Sequence, residues 1–314
     1  MRLHLGLGLA LLVLCAAPVS VGAQTETTGE PAAIDAPIER VTLKNGQIFR
    51  GRILERTDTT LRLDLLGAGE MTLLLSKVES VEIDETVELT EDGHLYKRDP
   101  NRTRYLYSPS AMQLKKGEGY FSQKELFFSS VAYGLTDHIS VLVGSIIPML
   151  IATDGSLNFI TAVKVGDTIE EDKLHVAAGF EAFSFENDGE LWSAGFLFGS
   201  ATLGSDRSHV TLSAGKPFSF DADSRDLGPA IVTVSGNVRA SSSLSFITEN
   251  WFLAPDPAEY DDDGNLSSSS REFLFFNSIA ARIMGEHLAV DVGMIFTKDV
   301  GVPIPWLDFT YNWF

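Results

Sequence analysis

From Tyr105 onward, apolar side chains recur at every second position in stretches of about ten residues, each followed by a break. The stretch 286–296 shows the pattern most cleanly. Leu288, Val290, Val292, Met294 and Phe296 fall on one side of an extended chain, and Ala289, Asp291, Gly293 and Ile295 on the other. Val210/Leu212/Ala214 against Thr211/Ser213/Gly215 repeats it, as does Val232/Val234/Val238 against Thr233/Ser235/Asn237/Arg239. The pattern predicts strands near 103–109, 119–132, 138–147, 157–165, 173–184, 190–202, 207–218, 229–239, 243–254, 271–282, 287–297 and 304–314.

A soluble β sandwich also alternates, so the connections have to discriminate. Here tight breaks (GLTD, LGSD, ASSS, MGEH) alternate with mostly longer ones such as FSFDADSRDLG and APDPAEYDDDGNLSSSS. Short turns at one end and longer loops at the other characterise transmembrane barrels. The expected fold is all-β: a transmembrane antiparallel up-and-down barrel of about 12 strands at 103–314, behind a small β unit. Aromatic side chains at strand ends, Tyr133, Trp192, Trp251, Trp306, Tyr311 and Trp313, are expected to form the two girdles at the membrane borders. Val290, Val292 and Met294 are expected to face lipid, so Val292→Arg should destabilise far more than Asp291→Asn.

Two stretches carry a family resemblance. The chain ends in Trp306-Leu307-Asp308-Phe309-Thr310-Tyr311-Asn312-Trp313-Phe314, and Tyr133-Gly134-Leu135-Thr136-Asp137 precedes a tight turn. They resemble the terminal strand and inner turn of bacterial outer-membrane β-barrel proteins of the porin-like kind, with Phe314 out of phase with Leu307, Phe309, Tyr311 and Trp313. The resemblance implies outer-membrane lipid and the barrel-assembly machinery as partners, the latter through the last strand.

Ahead of the barrel, residues 38–85 hold five short alternating runs, opening on a hairpin at Asn45-Gly46. The stretch NGQIFRGRI resembles SH3-like or Sm-like β modules attached to envelope proteins. That implies a periplasmic interaction module, with a possible periplasmic partner of its own. Residues 24–37 are polar and proline-bearing and read as a flexible lead-in, and 86–102 as a linker.

The first 23 residues run from Arg2 through an apolar stretch to Val21-Gly22-Ala23, the order of a cleaved secretory signal peptide. Cys15 lies inside it, preceded by Leu14 where a lipidation motif wants a small residue, so the mature chain is expected to have no thiol. Beyond the signal, 23 Lys and Arg face 43 Asp and Glu. Such an acidic chain is a poor match for phosphate backbones, and no nucleic-acid partner is expected. A composition of 44% hydrophobic residues argues against disorder.

Candidate chemistry is sparse. The polar face is expected to line the lumen with Glu125, Lys164, His175, Glu181, Arg239, Glu249, Arg282, Asp291 and Asp308. Twelve strands lie between the eight that side chains just fill and the sixteen or so that leave an open channel. Two readings stay open: a porin-like channel for small hydrophilic solutes, and a non-conducting anchor whose interior is plugged by paired charges. A third, an outer-membrane hydrolase, rests on His138-Ile139-Ser140 and lacks a group to orient the histidine. No catalytic residues, metal site or cofactor are assigned. The run Glu259-x-Asp261-x-Asp263-Gly264 starts like a calcium loop but has Ser270 at its twelfth position instead of glutamate.

Overall fold

The computed structural model describes residues 37–84, 86–89, 95–125, 127–147, 158–187, 190–219, 230–253, 259–260, 266–268, 274–298 and 300–313. The expected signal segment, most of the expected lead-in and all but the first two residues of the acidic 259–264 run fall outside them.

Five short strands come first: β1 (Glu39–Leu43), β2 (Ile48–Arg56), β3 (Thr60–Asp64), β4 (Glu70–Leu74) and β5 (Val78–Ile83). They form an antiparallel sheet in the order β4-β3-β2-β1-β5, with β4 and β5 not paired to each other. Alternation places Val41, Leu43, Leu61 and Leu63 on one face, where they are buried as a small core. At the Asn45-Gly46 turn only Gly46 has positive φ (84°), while Asn45 Oδ1 accepts from the Gln47 amide at 3.1 Å. The turn is therefore not the type in which both central residues are left-handed.

The expected linker contains a hairpin of β6 (Val87–Leu89) with β7 (Leu95–Lys97). Twelve further strands close on themselves as an antiparallel barrel: β8 (Gly119–Lys124), β9 (Phe128–Thr136), β10 (Ile139–Ile146), β11 (Asn158–Glu170), β12 (Leu174–Asn187), β13 (Glu190–Gly204), β14 (Ser208–Ser219), β15 (Ile231–Ser241), β16 (Leu244–Leu253), β19 (Leu274–Met284), β20 (Leu288–Thr297) and β21 (Val300–Trp313). Between β16 and β19 a short pair, β17 (Glu259–Tyr260) and β18 (Leu266–Ser268), stands apart from the barrel sheet. Closure comes from β21 pairing with β8, from Asp308 opposite Lys124 to Trp313 opposite Gly119. No edge is left to present unpaired backbone to lipid.

The barrel's faces follow the alternation. Val131, Val143, Leu197, Leu212, Phe246, Ile279, Val292 and Phe309 point outward and are exposed. Ser200, Thr202, Thr211, Thr233, Ser235, Asn237, Arg282 and Asp291 point inward and are buried. An apolar exterior around a polar interior is the inverse of a soluble protein and suits a lipid surround. The connections at 137–138, 171–173, 205–207, 242–243 and 285–287 all lie at one end.

Two strand assignments differ from expectation, and they cancel in the count. The expected strand at 119–132 is two strands, turning at 125–127 where Glu125 takes φ 50°. The expected first strand at 103–109 is not in the barrel wall: it has a single isolated bridge, Arg104 to Pro109. Arg104, Tyr105, Leu106 and Ser108 are all buried, so both faces of this stretch are covered. A wall strand would have one face on lipid.

Candidate functional site in the barrel lumen

Residues 99–114 run through the inside of the barrel. A buried chain outside regular secondary structure must find partners for its amides and carbonyls elsewhere. Some are met within the segment, as Tyr105 N donates to Ser108 O and Ser110 N to Thr103 O, and the barrel wall supplies others. Glu249 Oε2 accepts from the amides of Leu106, Tyr107 and Ser108 at 3.0, 2.9 and 3.0 Å and from Ser108 Oγ at 3.0 Å. Its other oxygen accepts from Trp251 Nε1 at 2.7 Å. Lys164 does the converse, its Nζ donating to the carbonyls of Thr103, Ser110 and Met112 at 3.1, 3.0 and 2.6 Å. One carboxylate therefore gathers amides and one ammonium gathers carbonyls.

Arg282 is the centre of a charged cluster and is 1% exposed. It donates to both oxygens of Asp291 at 2.8 Å, to Asp99 at 3.2 Å, and to the carbonyls of Asn101 and Tyr105 at 3.2 and 3.1 Å. Nearby, Arg104 pairs with Asp308 at 2.7 Å, and Ser122 Oγ donates to the same carboxylate at 3.1 Å. Arg102 pairs with Glu118 at 2.5 Å. Asp99 and Arg104 from the inner segment thus meet Arg282, Asp291 and Asp308 from the wall. Planar guanidinium forks match carboxylates two bonds at a time, which fixes register as well as charge.

Hydroxyls complete the contact. Tyr105 Oη lies 2.7 Å from Thr211 Oγ1, Thr211 lies 2.6 Å from Thr202, and Thr202 accepts from the Ala111 amide at 2.8 Å. Ser108 Oγ lies 2.9 Å from Ser235 Oγ. A small apolar cluster of Tyr105, Leu106, Ile247, Ala280 and Trp306 packs beside them.

Among the expected lumen residues, Lys164, Glu181, Glu249, Arg282, Asp291 and Asp308 are brought together around the inner segment, Glu181 accepting from Tyr107 Oη at 3.2 Å. His175 and Arg239 sit on the inner face near the tight turns, where His175 Nδ1 lies 3.0 Å from Thr168 Oγ1 and Arg239 Nη1 contacts Met284 Sδ at 2.9 Å. Glu125 is a correction: it caps the β8–β9 turn, accepting from the Leu307 amide at 2.8 Å, because the break there takes it off the strand.

The aromatic expectation needs correcting in two places. Trp306 is buried against Tyr105, and Trp251 bonds Glu249 with its ring centroid 6.2 Å from Tyr107, so both face inward. Phase decides this, since Trp306 shares a face with Asp308, and Trp251 with Glu249. Tyr133 and Tyr311 are exposed on the outer face. Trp313, in phase with Tyr311, shares the tight-turn end with Tyr133 through Gly119, which pairs with both. Trp192 lies in β13, its side chain outside the described residues.

Sequence reading missed Asp99, Arg102, Arg104, Glu118, Tyr105, Tyr107 and Lys124. One signal was present: as a wall strand, 103–109 would turn Thr103, Tyr105, Tyr107 and Pro109 to lipid without one Val, Leu, Ile or Phe. His138 and Ser140 engage different partners, His138 lying 3.4 Å from Asp167 at the surface and Ser140 donating to Gln113 at 3.3 Å. They form no base–nucleophile pair.

The five-stranded sheet meets the barrel at the tight-turn end. Asp84 pairs with Arg50 at 2.6 Å and Arg40 at 3.4 Å, and both arginines reach Glu286 in the β19–β20 turn, Arg50 at 3.1 Å. Burial alone would raise the Asp84 carboxyl, but hydrogen bonds from Thr86 and Arg50 outweigh it and hold the group below the ordinary carboxylate value. Arg98 and Arg102 both reach Asp206 in the β13–β14 turn, at 3.3 and 3.8 Å.

No family model and no curated protein matches the chain. Among solved structures, the NanC porin is similar at 7% identity and a TM-score of 0.36, over 62% of this chain and 97% of that one. OmpF of Salmonella typhi, solved with daunomycin, is similar at 10% identity and a TM-score of 0.33, over 88% and 96%. OccAB4 of Acinetobacter baumannii is similar at 11% identity and a TM-score of 0.32, over 90% and 70%. At such identity and overlap the likeness transfers neither solute nor activity.

Proposed function

We propose that this protein is a porin-type channel of the bacterial outer membrane for small hydrophilic solutes, closed at rest by its own residues 99–114. The observation that carries the reading is how the segment is held. It adds no strand to the barrel, and side chains of the wall bind it through contacts that water can replace. The wall left behind would be wettable: Ser200, Ser213 and Thr233 stand side by side on β13, β14 and β15, and their hydroxyls bond no described residue. A wall built only to hold a permanent filling has no need of such hydroxyls, whereas a polar lumen is what an aqueous path requires.

The module then sits on the periplasmic side with the tight turns, available to a periplasmic partner, and β21 is the strand offered to the assembly machinery. No catalytic step belongs to this reading. A second reading, a non-conducting anchor that presents the module, draws support from the many bonds that Glu249, Lys164 and Arg282 make to the inner segment's amides and carbonyls. One experiment separates them. Ser108→Cys with Ser235→Cys places two thiols where the hydroxyl oxygens lie 2.9 Å apart, within reach of a disulfide. In planar bilayers, the channel reading expects conductance events from the reduced protein and none from the oxidised one. Silence in both states, at any voltage tolerated by the membrane, selects the anchor.

A further inference from the structure

A cavity of about 100 Å³ lies between the inner segment and the wall formed by β8 to β13. Much of its surface is apolar, including Tyr107, Phe128, Leu142, Ile160 and Phe198. Lys124, Lys164 and Glu181 also reach it. Pockets of this composition, apolar with a few convergent polar groups, are where small molecules bind.

The two lysines are not held in close ion pairs. Arg104, which also lines the cavity, is paired with Asp308. Neither lysine makes an ion pair with a described residue. Lys164 spends its ammonium on three carbonyls. Lys124 is 8% exposed; its Nζ stands 5.6 Å from the centroid of the Tyr107 ring, and Asp308, Glu181 and Glu249 act on it from beyond ion-pair distance. The hydroxyl of Ser130, which also lines the cavity, is buried and bonds nothing described. A buried cation is stable when a counter-charge and hydrogen-bond acceptors are at hand. Glu181 is the carboxylate that lines the cavity, and it stands against two such lysines.

We propose that this cavity binds a small monocarboxylate, its carboxylate on Lys124 and Ser130 and its apolar body among Tyr107, Phe128, Leu142 and Phe198. A single charge is required because Glu181 repels a second. The inference goes beyond the channel reading, since the site is complete with the inner segment docked.

The test is calorimetric titration of the refolded full chain with propionate, its neutral isostere propionamide, and inorganic phosphate. The expected result is saturable propionate binding, at least tenfold tighter than that of either other compound. Lys124→Met should abolish the preference, Lys124→Arg should restore it, and Glu181→Gln should tighten propionate. Equal affinity for propionate and propionamide, or no saturable propionate binding, overturns the proposal in the wild-type protein alone, whether or not Lys124→Met folds. Weaker propionate binding by Glu181→Gln also overturns it. Repeating the titration on the oxidised Ser108→Cys/Ser235→Cys protein keeps the two readings apart, because binding there is expected to persist even if the reduced form never conducts.

Discussion

The strongest test of the docked segment is Glu249→Ala. One oxygen of this residue holds the amides of Leu106, Tyr107 and Ser108, together with the Ser108 hydroxyl. A buried amide left without an acceptor costs about 1–3 kcal/mol, so three of them put the loss at about 3 kcal/mol even at the low end. That is roughly a 150-fold change in the ratio of docked to undocked segment. The cost falls on the segment, because the β16 ladder that carries Glu249 keeps its backbone bonds. A reporter is available at Ala111, which is fully buried. Placed in a Cys15→Ala chain, Ala111→Cys supplies the single thiol, since Cys15 is the one cysteine of the sequence. When undocking is fast, labelling of that thiol by a maleimide follows the undocked population. Labelling in refolded Ala111→Cys/Glu249→Ala should exceed that in Ala111→Cys alone by about two orders of magnitude. Glu249→Gln keeps a carbonyl acceptor but loses charge assistance, and should fall between them. Unchanged labelling in a folded Glu249→Ala barrel would falsify the assignment of Glu249 as the residue that holds the segment.

Two further outcomes follow from the same geometry. Val292→Arg puts a charge on the exposed outer face and should cost about 2–4 kcal/mol in lipid, while Asp291→Asn breaks the buried fork on Arg282 and should cost about 3–5 kcal/mol. Urea unfolding in vesicles is thus expected to rank the two substitutions as comparable, which replaces the sequence-based expectation that Asp291→Asn is mild. For the contact between module and barrel, the lowered Asp84 carboxyl contributes stability that is fully present above its unfolded value, about 3.9, and is lost as pH falls through the folded value below it. Protease cleavage in 85–98 should therefore rise below about pH 4 in the wild type and be raised already at neutral pH in Asp84→Asn, and a flat wild-type profile would count against this carboxylate as the clamp.

The sequence by itself determined the class of fold and the facing of its strands. Period-two alternation leaves no freedom once one side is apolar, because a slip of one residue would turn Asp291 and Asp308 to lipid. Even where the expected girdle failed, the phase of Trp306 with Asp308 already carried the answer. Glycine shows the limit of local reading. Gly134 of the YGLTD stretch looks like a turn residue, but a Cβ there would lie 2.1 Å from the Lys115 carbonyl oxygen, because the chain leaving the lumen passes against β9.

Only the tertiary structure decided what fills the barrel. Residues 103–109 alternate like a wall strand, and although Thr103, Tyr105, Tyr107 and Pro109 make a poor lipid face, their own order does not say which groups would cover it. That depends on Glu249, Lys164 and Arg282, which lie 50 or more positions downstream. An acceptor for amides, a donor for carbonyls and a guanidinium fork are side chains any polar lumen might hold. They become a docking site when barrel closure carries them from separate strands to one short stretch of chain, and closure is a long-range event that local pattern does not encode.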